Sequence, residues 1–225
     1  MPSQQNRREF LGHLSVASAA MVGAPSFTLP HADGTEPANV ETWDMSWLEA
    51  LKSASYRAVI DASTFEDGYA PNLASGLIEH HKQAHPGTRD DQVRIVIVAR
   101  RGGTPLVMND ALWQRFPLGE ATKQNDGATN APVRRNPFYK ARAGASPEAA
   151  ASTMENLKAR GTIFLVCNIA LNNWVRSLAE TTKRDVEDVT KEVFANLVPG
   201  AIVQPSGVFA LMRAQNAGCA YMRGA

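Results

Sequence analysis

Cys167 ends the apolar run Ile163-Phe164-Leu165-Val166 and is followed at once by Asn168, a residue type that caps helices. A thiol at a strand-to-helix junction meets unpaired backbone N–H groups and the positive end of a helix dipole. Both favour the thiolate, the nucleophilic form of the thiol. Nucleophilic chemistry is one expectation for Cys167. A free cysteine is also among the residue types most often buried, so a small core hydrophobe is the competing one.

Arg100-Arg101-Gly102-Gly103 closes a second apolar run, Val93 to Ala99, and sets two planar cations beside a glycine backbone. Such a pairing suits an oxyanion such as sulfate, phosphate or carboxylate. Neither a Walker nor a G-x-G-x-x-G pattern is present, so the two glycines specify no nucleotide, and a solvated turn held by a surface ion pair competes with the anion site. Ser63 and the pair Ser206-Gly207 add hydroxyls and a helix start beyond two further apolar runs. His81 and His85 have the i, i+4 spacing of a metal pair but no third ligand is identifiable, and a solvent-facing histidine cluster is expected there rather than a metal centre. The residue types name no cofactor.

These residues need strands and helices to position them. Tyr56 to Ser63, Val93 to Ala99, Thr162 to Cys167 and Ala201 to Gln204 read as buried strands, with a last short one over Cys219 to Met222. Helices are expected near Ser46 to Ala54, over Asn72 to His85, Asp110 to Phe116, Pro147 to Arg160, from an Asn168 cap through Leu178, over Arg184 to Leu197 and over Ser206 to Ala217. Strands alternating with helices imply parallel pairing and right-handed crossovers. The expected fold is therefore a single α/β domain, an open, doubly wound parallel sheet of about five strands with helices on both faces. Ligands of such sheets bind outside the carboxyl ends of the strands, where Ser63, Arg100, Cys167 and Ser206 would all emerge. Residues 117–147, rich in Gly, Asn, Pro and Arg, form an insertion. Its Arg134-Arg135-Asn136-Pro137-Phe138 run reads either as a lid or subunit contact, or as a segment that Phe138 and Tyr139 pin to their own domain.

Arg7-Arg8 followed by Phe10 and Leu11 and a weakly apolar Ala/Ser/Gly stretch resembles a bacterial twin-arginine export signal over residues 1–24, ahead of a spacer and short helix at 25–54. The resemblance implies recognition by the twin-arginine machinery, passage in the folded state and a periplasmic location. Pro25 opposes cleavage directly after Ala24, leaving removal of the leader and an N-terminal tether as alternatives. Beyond the leader, 21 basic and 21 acidic residues remain. That balance gives no electrostatic reason to expect nucleic acid or an anionic membrane as partner, and no later run is long enough to span a bilayer. An oxidising compartment makes a Cys167–Cys219 disulfide the first thought. Cys219 starts the last strand, however, and so belongs at the opposite edge of the sheet, about a strand length or ~15 Å away, beyond what a disulfide tolerates.

A family resemblance is carried by the core of the first strand, by Arg101-Gly102-Gly103-Thr104-Pro105-Leu106, by Cys167-Asn168, and above all by Leu197 through Val208 leading into Gly218 through Met222. Over residues 55–223 the chain resembles the DsrE/DsrF-like proteins, in an exported branch with a twin-arginine leader. The resemblance implies a compact parallel-sheet domain, assembly into trimers or hexamers, and a cysteine persulfide relay whose sulfur would sit on Cys167. The ligand would be small and anionic or sulfur-containing. The insertion, the second cysteine and the export signal depart from the cytoplasmic members. A non-catalytic ligand-binding or assembly module with a structural Cys167 is the alternative.

Overall fold

The computed structural model describes residues 43–224, so the leader and most of the spacer lie outside the described residues. β1 (Tyr56–Ala62), β2 (Val93–Ala99), β3 (Ile163–Cys167), β4 (Ile202–Gln204) and β5 (Ala220–Arg223) form one sheet in the order β4-β3-β2-β1-β5, with every pairing parallel. Val59, Ile60, Val96 and Ile97 in the interior strands β1 and β2 are fully buried. Strands covered on both faces have no polar side to present, which is why they read as continuous apolar runs.

The helices follow in chain order: α1 (Trp47–Lys52), α2 (Tyr69–Ala84), α3 (Asp110–Arg115), α4 (Leu118–Thr122), α5 (Pro147–Ala151), α6 (Met154–Ala159), α7 (Asn168–Thr182), α8 (Val186–Ala195) and α9 (Gly207–Asn216). Successive strand side chains alternate between two cores. Ile60, Ile95, Ile97, Phe164 and Val166 pack with α2, α7 and α8 in the larger core. Val59, Val96, Val98 and Leu165 pack with α1 and α9 in the smaller. The chain steps from β1 to β4 with its crossover helices on one face, then returns across the sheet through α9 on the other. β3 and β4 are therefore neighbours whose following helices leave to opposite faces. This is the switch point at which such sheets open a crevice.

Two expectations are corrected, and one open alternative is decided. α2 starts at Tyr69 rather than Asn72, because Pro71 falls in a first turn whose N–H groups need no helical partner. The helix expected over Pro147 to Arg160 is two, since Thr153 accepts from the Asn156 N–H and starts α6 anew while its own hydroxyl donates to Ala150 O. The insertion is folded onto its own domain. Asn136 is buried and donates through Nδ2 to Leu106 O at 2.7 Å and Met108 O at 2.8 Å. The Phe138 ring packs on Phe65 with ring centres 5.6 Å apart. Pinning, rather than a lid, describes this segment. No described helix is long and apolar enough to cross a membrane.

Candidate functional site

At the switch point, the N-terminal turns of α7, the first turn of α9 and the segment after β2 enclose an open cavity of about 560 Å³. Cys167, Arg100, Arg101, Ser206 and Gly207 all line it. Strand alternation explains the convergence: residue 167 shares the face of Leu165, and residue 100 that of Val96 and Val98, so both face the α9 side of the sheet.

Cys167, rather than the expected Asn168, caps α7. Its Sγ accepts from the Ala170 N–H at 3.4 Å. The thiol thus already holds the kind of donor that stabilises negative charge on sulfur. Asn168 instead bonds within the helix, accepting from Asn172 Nδ2 at 3.0 Å, and does not line the cavity. Cys167 is buried at 7% exposure, so its access runs through the cavity rather than across the outer surface.

Arg100 is held by a residue the sequence reading missed. Asp61, 4% exposed near the end of β1, accepts from Arg100 Nε and Nη2, each at 2.6 Å. A two-point bond fixes the plane of a guanidinium as well as its position. The Tyr221 hydroxyl donates to the same carboxylate at 3.0 Å. The Asp61 hydrogen bond, against the cost of burial, holds the Arg100 guanidinium above its usual range, and the Asp61 charge adds to it. Burial and then the Asp61 carboxylate push the Tyr221 phenol up. The signal for Asp61 was present in the sequence as a carboxylate inside an apolar strand, two positions after Val59 and so on the same face as Arg100.

Arg101 adopts a left-handed φ of 49°, unusual for a residue with a side chain, at the start of the 3-10 segment Arg101–Val107. Its carbonyl accepts from Trp174 Nε1 at 2.8 Å and Thr104 Oγ1 at 2.9 Å. A hydrogen-bonded helical segment thus replaces the solvated turn considered for this stretch. Gly102 and Gly103 do not line the cavity. Gly103 is required for packing, because a Cβ there would run into the Ala62 carbonyl. Gly102 lies against the Ser63 backbone, with its hypothetical Cβ 3.6 Å from Ser63 O. Ser63 stands outside the cavity and donates its N–H to Asp61 O at 3.1 Å, so it shapes the turn beside the site.

Ser206 caps α9 by accepting from the Phe209 N–H at 3.1 Å. Gly207 lets that helix start lie against Arg100, where a Cβ would sit 2.8 Å from Arg100 Cδ. The aliphatic stem of Arg100 thus lies against the start of α9, and both line the cavity, where a helix N-terminus and a guanidinium favour an anion. Ile169, Trp174 and Val208 supply the apolar part of the wall. The histidines lie elsewhere: the His81 and His85 rings pack on Tyr56, 4.6 and 5.4 Å away, and Nδ1 of His81 is 2.9 Å from Leu77 O. His80 and His85 are exposed, as expected, while His81 is half-buried. Among the described residues no cluster of three or more His, Cys, Asp or Glu side chains is arranged to hold a metal ion.

Cys219 immediately precedes β5, in the smaller core with Trp47, Leu51 and Leu211. Both cysteines are free thiols.

No protein-family model and no curated protein matches the chain. Among solved structures it is similar to a protein of unknown function from Methanobacterium thermoautotrophicum, at 18% identity and a TM-score of 0.39, over 75% of this chain and 98% of that one.

Proposed function

We propose that this is a DsrE-like sulfur-handling protein in which the Cys167 thiolate accepts and carries a sulfane sulfur atom. The observation that supports the reading best is that a helix-capping thiol and a carboxylate-anchored arginine share one open cavity. With thiosulfate as donor, the Cys167 thiolate attacks the outer sulfur and a sulfur–sulfur bond forms. The donor's own sulfur–sulfur bond breaks, and its electron pair leaves with sulfite. The product is a Cys167 persulfide, and no outside oxidant is needed. Arg100 and the α9 N-terminus would hold the anionic donor and the leaving sulfite. Incubating the purified protein with thiosulfate or polysulfide should add sulfur to the intact mass of the wild type and not to that of Cys167→Ala. Equal masses before and after would refute the proposal.

The second reading, a binding or assembly module with a structural cysteine, is favoured by the low exposure of Cys167. Assembly into trimers or hexamers belongs to the family proposal. So does a periplasmic site of action, which rests on Arg7-Arg8 of the leader. Replacing both arginines by lysine should retain the protein inside the cell, and undiminished export would end the leader proposal.

A further inference from the structure

The cavity is built for more than a sulfur oxyanion. A free thiosulfate fills roughly 100 Å³, about three water volumes, against a cavity of 560 Å³. The remaining space is walled by apolar side chains. Ile169 in the first turn of α7 and Val208 in the first turn of α9 are 59% and 68% exposed. They line the same cavity as the sulfur and the cation. Large aliphatic side chains presented to solvent at a cavity mouth mark a site that something apolar covers. Trp174 lines it too, its indole fixed by its bond to Arg101 O, a preformed flat surface rather than a mobile one. Asp61 fixes Arg100, whose stem lies against the start of α9, and Arg101 lines the cavity beside it.

We infer that the ligand of this cavity is an organic anion: a single compact anionic head, of sulfonate or thiosulfonate type, at Arg100 and the α9 N-terminus, and an apolar body against Ile169, Val208 and Trp174. For transfer to Cys167 the inference rests on the sulfur-acceptor reading above. The donor class is then an organic thiosulfonate. The Cys167 thiolate attacks its outer sulfur, the bond from that sulfur to the sulfonyl sulfur breaks, and the electron pair departs with an organic sulfinate. Charge and electrons balance as they do with thiosulfate.

Benzenethiosulfonate and thiosulfate serve as matched donors, each rate being divided by that donor's rate with glutathione to remove intrinsic reactivity. Burial of most of a phenyl ring is worth tenfold or more in binding, so the corrected rate with benzenethiosulfonate should exceed that with thiosulfate by about tenfold or more. Val208→Ser combined with Ile169→Ser should bring the ratio close to one. A ratio near one in the wild type overturns the inference and leaves the sulfur-carrier proposal standing. Where neither donor loads Cys167, that proposal fails alone, and titration calorimetry with the unreactive benzenesulfonate and methanesulfonate decides the inference. Binding of benzenesulfonate about tenfold tighter upholds it, and equal binding or none overturns it. A self-associating protein that binds neither sulfonate overturns it too, and assigns the apolar rim to a second copy of the chain.

Discussion

The two thiols stand at opposite ends of one helix and in opposite chemical settings. Cys167 shares its cavity with the N-terminal end of α9, whose N–H groups favour negative charge, whereas Cys219 follows the C-terminal end, where the carbonyls oppose it. The Cys219 N–H donates to Ala214 O in that last turn. Burial pushes the Cys219 thiol up to about 11, with Arg57 acting weakly against it. Both residues are nearly equally buried, at 7% and 6%. Exposure therefore does not separate them. What separates them is which end of the helix each faces, and whether the space beside the sulfur is cavity or packed core.

The rims also differ in how they are held together. At the Cys167 rim a buried carboxylate orients a cation toward the cavity, while around Cys219 the packing is mainly apolar. Removing one partner of a buried ion pair leaves the other uncompensated, so Asp61→Ala should lower the free energy of unfolding by about 3 kcal/mol. Cys219→Ala, which removes only a small apolar volume, should cost about 1 kcal/mol. Urea denaturation of the two variants checks the difference, and equal costs would break the contrast between the rims.

A smaller effect sharpens the same contrast through pH. The folded Cys219 pKa of about 11 lies above the ordinary value of 9.0. Its stabilising contribution is thus complete below pH 9 and is lost as pH rises toward 11, because the native state binds the proton more tightly than the unfolded state does. Across that window the wild type should lose up to about 2 kcal/mol more than Cys219→Ala does. Parallel stability curves for the two proteins would show that this thiol is not held neutral by burial.

The sheet was legible because parallel strands covered on both faces leave unbroken apolar runs, as in Val93–Ala99. The strand ends that form the rim followed from the same runs, and with them Cys167, Arg100, Arg101, Ser206 and Gly207. What was not legible depends on neighbours distant in sequence. Asp61 meets Arg100 only because β1 and β2 pair in register, and Tyr221 joins them only because β5 returns to the far side of β1. Gly103 looked like a ligand-cradling residue, yet it answers to the Ala62 carbonyl. The break between α5 and α6 was hidden because Ser and Thr are tolerated within helices, and only the capping geometry of Thr153 shows that one ends there.

The most direct measurement is native-state alkylation near neutral pH, with the modified cysteine located by peptide mass. Cys167 should be labelled through its cavity within minutes, while Cys219 stays unmodified until the protein is unfolded. Labelling of both thiols only after denaturation would contradict the account, because it would leave Cys167 as sealed as Cys219 and the cavity without a reactive sulfur.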